Sequence, residues 1–266
     1  MRILLISGLI LSILSCSSLG EKPTSKDDKD MLKCEDKSEQ KMEKLSHVDY
    51  NVIFESDSVE NTPIELLNIG TLNVPSGQIV VCDPLAHPST PPLERTVDPG
   101  IYPVKIYIAK TEEAGDRYAI AKLEFSKNKA VKWVMALQVG DDITELSNEL
   151  EYFGFPVDAG LGGFFDYQSG KEYQKFESDF IKANPEGNIY DDFFAAEFKK
   201  NAKVQNDSND VGDWINFRLP SSELNISMFH SGYGDGFYPS YWGIDQNGKV
   251  VSLVIDFLVL LVPEER

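Results

Sequence analysis

The chain has 266 residues, 42% of them hydrophobic and 11% aromatic, which is enough to bury a sizeable core and too apolar for a disordered protein. Its 25 Lys and Arg against 43 Asp and Glu leave a formal charge of −18, which excludes nucleic acid, whose binding is driven by cations neutralising phosphates. An anionic lipid surface is disfavoured for the same reason, whereas a basic protein, a cationic ligand or a divalent cation would be drawn to such a field; solubility alone also accounts for it.

The chain begins with one charge, Arg2, followed by uncharged, mostly apolar residues from Ile3 to Ser15. About twenty apolar residues would be needed to span a bilayer, so residues 1–15 read as a signal peptide. Ile13-Leu14-Ser15-Cys16 resembles a bacterial lipoprotein cleavage box. That resemblance implies cleavage before Cys16, acylation of that residue, and a membrane partner reached through that lipid, in the bacterial cell envelope and facing away from the cytoplasm. An ordinary signal peptide with a chance cysteine, or an uncleaved anchor, is the alternative. Residues 16–46 are dense in Lys, Asp, Glu and Ser and read as a flexible charged tether, with a transient helix around Asp30 to Leu45. Residues 47–266 are expected to form a single globular domain. Cys34 and Cys82 are two cysteines, not a disulfide framework, and are expected to be unpaired.

From His47 onward, short apolar runs alternate with Pro, Gly, Asn and Asp, the pattern of strands and turns. Strands are predicted over 51–54, 66–74, 78–82, 102–109, 117–125, 131–139, 214–219, 226–230, 238–244 and 250–262. PSG at Pro75 and DPG at Asp98 mark turns, since proline presets φ and glycine tolerates positive φ. Asn247-Gly248 is read as a type I′ hairpin turn, with GLGGFF at Gly160 preceding no convincing helix start. Three helices are predicted mid-chain. One begins at an Asp142 cap with Glu145 three residues on and the face Ile143, Leu146 and Leu150. The others carry the stripes Tyr173, Phe176, Phe180 and Phe194, Phe198, read as packing faces. The fold class is therefore α+β and mainly β, with predominantly antiparallel, sandwich-like sheets and about three inserted helices. Asp256 falls inside the apolar closing run, where an isolated carboxylate is costly. It is either a structural cap or a site carboxylate with a raised pKa.

The three histidines stand in no zinc-binding spacing, and no nucleotide loop or nucleophile elbow occurs. A divalent cation remains a candidate cofactor. The remaining acids beside glycine or proline include Asp83, Asp98, Asp158, Asp166, Asp235 and Asp245. Each is explained singly as a turn cap, and collectively they would matter only by converging in one cleft.

LNVPSGQIVVCDP from Leu72, GIYPVKIYIA from Gly100, FPVDAGLGGFFD from Phe155 and SGYGDGFYPSYWGIDQNG from Ser231 together resemble the bacterial domain-of-unknown-function family 4241. The resemblance spans about Leu66 to Val262 and implies no activity. The family often has a cysteine where this chain reads GLGG, so Gly163 leaves no cysteine nucleophile there.

Two functions compete. In the first the protein is a tethered binding module, inhibitor-like or immunity-like, with Tyr238, Tyr241 and Trp242 as recognition aromatics and a basic partner. In the second it is a carboxylate- or metal-dependent hydrolase in which Asp158, Asp166 and Asp235 are ligands or acid and base, Arg117 holds an anionic group and His230 carries a proton. A third reading makes the aromatics core residues.

Overall fold

The computed structural model describes residues 42–260. Cys16, Cys34 and most of the expected tether lie outside them. In chain order the elements are α1 (Asn51–Glu55), β1 (Ser58–Val59), β2 (Thr62–Val74), β3 (Ile79–Cys82), β4 (Gly100–Thr111), β5 (Gly115–Glu124) and β6 (Lys132–Met135). A 3-10 turn (Ile143–Glu145) leads to β7 (Gly154–Val157), β8 (Leu161–Asp166) and α2 (Tyr167–Ala183). A π-turn (Tyr190–Phe194) then runs into α3 (Ala195–Lys199), followed by β9 (Trp214–Arg218), β10 (Asn225–His230), β11 (Gly236–Ile244) and β12 (Val250–Asp256). Among the described residues no helix is long and apolar enough to cross a membrane.

The strands form two antiparallel sheets. The larger runs β1-β2-β4-β5-β12-β11-β6, with β7 also paired to β11, and the smaller runs β3-β8-β10-β9. The mainly β, antiparallel, sandwich-like class read from the sequence is what the chain adopts. Alternation along each strand explains the layering, because residues two apart share a face. Leu72, Val104, Leu123 and Leu253 of the large sheet meet Ile79, Val81, Phe164 and Phe229 of the small one in the central core. Each such fully buried side chain contributes about 1.5–3 kcal/mol.

The outer face of the small sheet is covered by the helices. Tyr173, Phe194 and Phe198 pack onto Ile215, Phe217, Ile226 and Met228, with the free thiol of Cys82 buried among them. The outer face of the large sheet is covered by α1 and the segment leading into it, where Tyr50 and Ile53 meet Tyr107, Trp133, Met135 and Tyr241. Within the expected tether, Lys44 to Ser46 already pair with β6: the Met135 N–H donates to Lys44 O at 2.8 Å and the Ser46 N–H to Trp133 O at 2.9 Å.

Several predicted elements are corrected. Asn51 to Phe54 is helical although its composition suits a strand. The Asp49 carboxylate accepts the Asn51 N–H at 3.1 Å and the Trp133 indole N–H at 3.1 Å, so tertiary contacts override propensity. The Asp142 cap does form, accepting the Thr144 N–H at 3.0 Å, but one 3-10 turn follows rather than a helix. Ile143 and Leu146 still pack against the outer face of the large sheet, while Leu150 is exposed.

GLGGFF is a strand that feeds straight into α2, and at its glycines a Cβ would meet the Phe257 ring at 2.7 Å (Gly162) and Pro84 Cγ at 2.4 Å (Gly163). The hairpin after Ile244 has positive φ only at Gly248, which is not a type I′ turn. Asp245 organises it instead, its carboxylate accepting the Asn247 and Lys249 N–H groups at 2.8 and 3.0 Å. The final strand ends at Asp256, not Val262.

Candidate functional site

Asp256 closes β12 on the outer face of the large sheet, with Val254 and, across the ladder, Tyr241 on the same face. Its carboxylate is 2% exposed. Oδ1 accepts the Leu258 N–H at 2.8 Å and Oδ2 accepts the Tyr50 hydroxyl at 2.8 Å. Leu258 itself stands at φ +55°, a conformation costly for a bulky side chain by about 1–3 kcal/mol. Asp256 thus caps its own turn and is also a perturbed carboxyl: burial pushes its pKa up to about 6, opposed by the Leu258 and Tyr50 hydrogen bonds. Among the described residues no Lys, Arg or His bonds it.

Around this floor lies a cavity of about 290 Å³ whose walls come from four parts of the chain. Tyr50 arrives from the cap of α1, Tyr241 from β11, Tyr152 from the loop before β7, and Leu45 to Val48 from the segment paired with β6. The Tyr50 and Tyr241 rings lie 5.6 Å apart, and Trp133 holds Tyr50 edge-on at 5.1 Å. Burial first, and the Asp256 charge second, raise the pKa of Tyr50, Tyr152 and Tyr241, so all three stay neutral phenols. The Tyr241 hydroxyl has no hydrogen-bond partner among the described residues, while Tyr152 donates to Phe237 O at 3.1 Å. Lys44 also lines the cavity, but its ammonium is tied to the carbonyls of Asn148, at 2.7 Å, and Glu151. Leu150 in the cavity lining and Phe237 beside Tyr152 are exposed, and Phe237 stacks on Tyr152 with centroids 6.0 Å apart.

A family model described as "Protein of unknown function (DUF4241)" matches residues 72–255. This chain belongs to that family. No curated protein and no solved structure matches it. The DUF4241 region supplies Tyr152 and Tyr241, whereas Tyr50 and Asp256 come from the residues flanking it on either side.

The sequence-predicted carboxylates do not gather. Asp166 is fully buried and caps α2, accepting the Gln168 N–H at 2.8 Å, the Ser76 N–H at 2.9 Å and the Ser76 hydroxyl at 2.6 Å. That leaves it no face for substrate. Asp158 is exposed and pairs with His87 Nε2 at 2.6 Å. Asp235 is exposed one residue beyond the Gly236–Val157 pair, so it shares a strand end with Asp158, while the length of β8, roughly 16 Å, separates both from Asp166. Among the described residues no three His, Cys, Asp or Glu form a metal-holding group.

Arg117 and His230 do come together, beside a residue the sequence reading missed. His230 Nδ1 lies 3.3 Å from Asp213, and the Arg117 guanidinium sits 5.6 Å over the Tyr233 ring. Burial, opposed by Asp213 and assisted by Arg117, lowers the imidazole pKa. Of the three predicted recognition aromatics, Trp242 is buried in the inter-sheet core and offers no surface. Tyr238 points the same way and pins the GYGDG turn, donating to Gly234 O at 2.9 Å. Tyr241, on the opposite face, lines the cavity beside Asp256. Tyr50 and Tyr152 were missed because nothing local distinguishes them; Asp256 was the one legible signal, a carboxylate in an apolar strand.

Proposed function

We propose that this chain is a binding module, lipid-anchored to the bacterial envelope through Cys16, that captures a basic partner as an inhibitor or immunity protein does. The observation that carries the reading is the cavity that joins a buried carboxylate, bonded by no Lys, Arg or His among the described residues, to three neutral tyrosines and opens beside exposed Leu150 and Phe237. Aromatic and apolar groups around a polar anchor are what recognition surfaces use. The formal charge of −18 adds attraction for a basic partner and speeds encounter.

The test is calorimetric titration of the full chain with oligolysine and, as a control, oligoglutamate. Oligolysine is expected to bind, to weaken as salt rises, and to weaken again in a Tyr241→Ala, Phe237→Ala double variant that remains folded. Binding of oligoglutamate with equal strength, or oligolysine binding untouched by the double variant, would overturn the reading. For the anchor, metabolic acyl labelling should mark the wild type and be lost in Cys16→Ala; label retained in that variant removes Cys16 from the account.

A further inference from the structure

We infer that the Asp256 cavity takes one alkylammonium group, a lysine side chain of the partner, with the Asp256 carboxylate as counter-ion and tyrosine rings as walls. This rests on the binding-module reading and narrows it to one anchoring group.

The floor argues for a cation. A carboxylate offers about four acceptor positions, and Asp256 uses one on Leu258 and one on Tyr50. Two remain, on a buried anion that no cation among the described residues bonds. Uncompensated buried charge is costly, and a ligand ammonium is the group that removes the cost. The two basic side chains that line the cavity do not serve: Lys44 is held by two backbone carbonyls, and His47 is exposed at the rim.

The walls agree. Tyr50, Tyr152 and Tyr241 line the cavity, aromatic rings attract a cation, and none of the three carries a competing negative charge. Glu149 and Glu151 at the mouth repel an anionic ligand.

Shape and valence select the kind of cation. A guanidinium in its bidentate fork would need both remaining positions, one on each oxygen, open along the same edge of the carboxylate. A compact ammonium needs one remaining position. About 290 Å³ suits an alkyl chain with a charged tip, and exposed Leu150 and Phe237 beside the mouth give flanking residues of a peptide something to pack on. That last feature favours a lysine within a chain over a free amine.

The experiment titrates the full chain with four probes: N-acetyl-lysine methylamide, n-butylammonium, the neutral N-acetyl-norleucine methylamide, and N-acetyl-arginine methylamide. The lysine probe is expected to bind about tenfold more tightly than each of the others. In Asp256→Asn, shown folded by its melting curve, lysine affinity should fall by about tenfold or more while norleucine affinity is unchanged. Norleucine matching lysine in the wild type would overturn the ammonium inference and leave the cavity a binding site. Arginine matching lysine would replace ammonium by guanidinium, and butylammonium matching lysine would replace the partner's lysine by a free amine; either result refutes the inference as stated. Absence of binding by all four would take the cavity out of the function altogether.

Discussion

Asp166 and Asp256 are both buried carboxylates at the end of a strand, yet they sit in opposite situations. Asp166 accepts three hydrogen bonds, two of them from backbone N–H groups, and ties the β8–α2 junction to the turn at Ser76. Asp83, at the other end of the small sheet, is similar: its two oxygens accept N–H groups of Leu85, Ala86, Asp158 and Ala159. Asp256 accepts two bonds and faces a cavity. Burial alone therefore does not mark a functional carboxylate. Incomplete satisfaction beside open space does.

The difference can be broken at its structural end first. Asp166→Ala should destabilise the chain by about 2–4 kcal/mol, because it removes a helix cap and strands the Ser76 donors, as read by urea unfolding. A loss below about 1 kcal/mol would mean that Asp166 is not the structural cap described.

Asp256 should behave oppositely. Its pKa of about 6 in the fold lies above the ordinary 3.8, so the folded state holds the proton more tightly than the unfolded chain. Its contribution to stability is fully present below the ordinary value and is lost as pH rises from there through about 6. Asp256→Asn should therefore gain on the wild type by up to about 3 kcal/mol between acid and neutral pH, compared by urea midpoints. A constant difference between the two proteins would show that the carboxyl is not strained by burial.

Smaller effects sharpen the contrast on the neighbouring strand. Tyr238→Phe removes a donor to Gly234 O and should cost about 1 kcal/mol in unfolding free energy, with lysine-probe binding unchanged. Asp235→Ala should change stability by less than about 0.5 kcal/mol, since Asp235 is exposed and makes no hydrogen bond or ion pair among the described residues.

Most strands could be read from the alternation of apolar and polar residues, and the two helical stripes at Tyr173 and Phe194 pack as that periodicity implies. β8 escaped because Gly162 and Gly163 dilute its strand character, though close approach of Phe257 and Pro84 is what demands them. The NVIF of α1 reads as a strand because its helix is imposed by Asp49 and Trp133, contacts from outside the segment. In the GYGDG block Gly232 and Gly234 take positive φ and shape a turn, which Tyr238 fastens. The pocket was legible only as a single incongruous residue, Asp256. Its partner Tyr50 lies 206 positions away, a separation no local pattern bridges.

The most direct test follows the Asp256 carboxyl carbon by NMR across a pH titration, with and without saturating N-acetyl-lysine methylamide. The expected midpoint is about 6 in the free chain, moving down toward the ordinary carboxylate range with the probe, because a bound ammonium favours the ionised form. A free midpoint already near 3.8, or one that does not move with the probe bound, would contradict a cation-seeking carboxylate at the floor of this cavity.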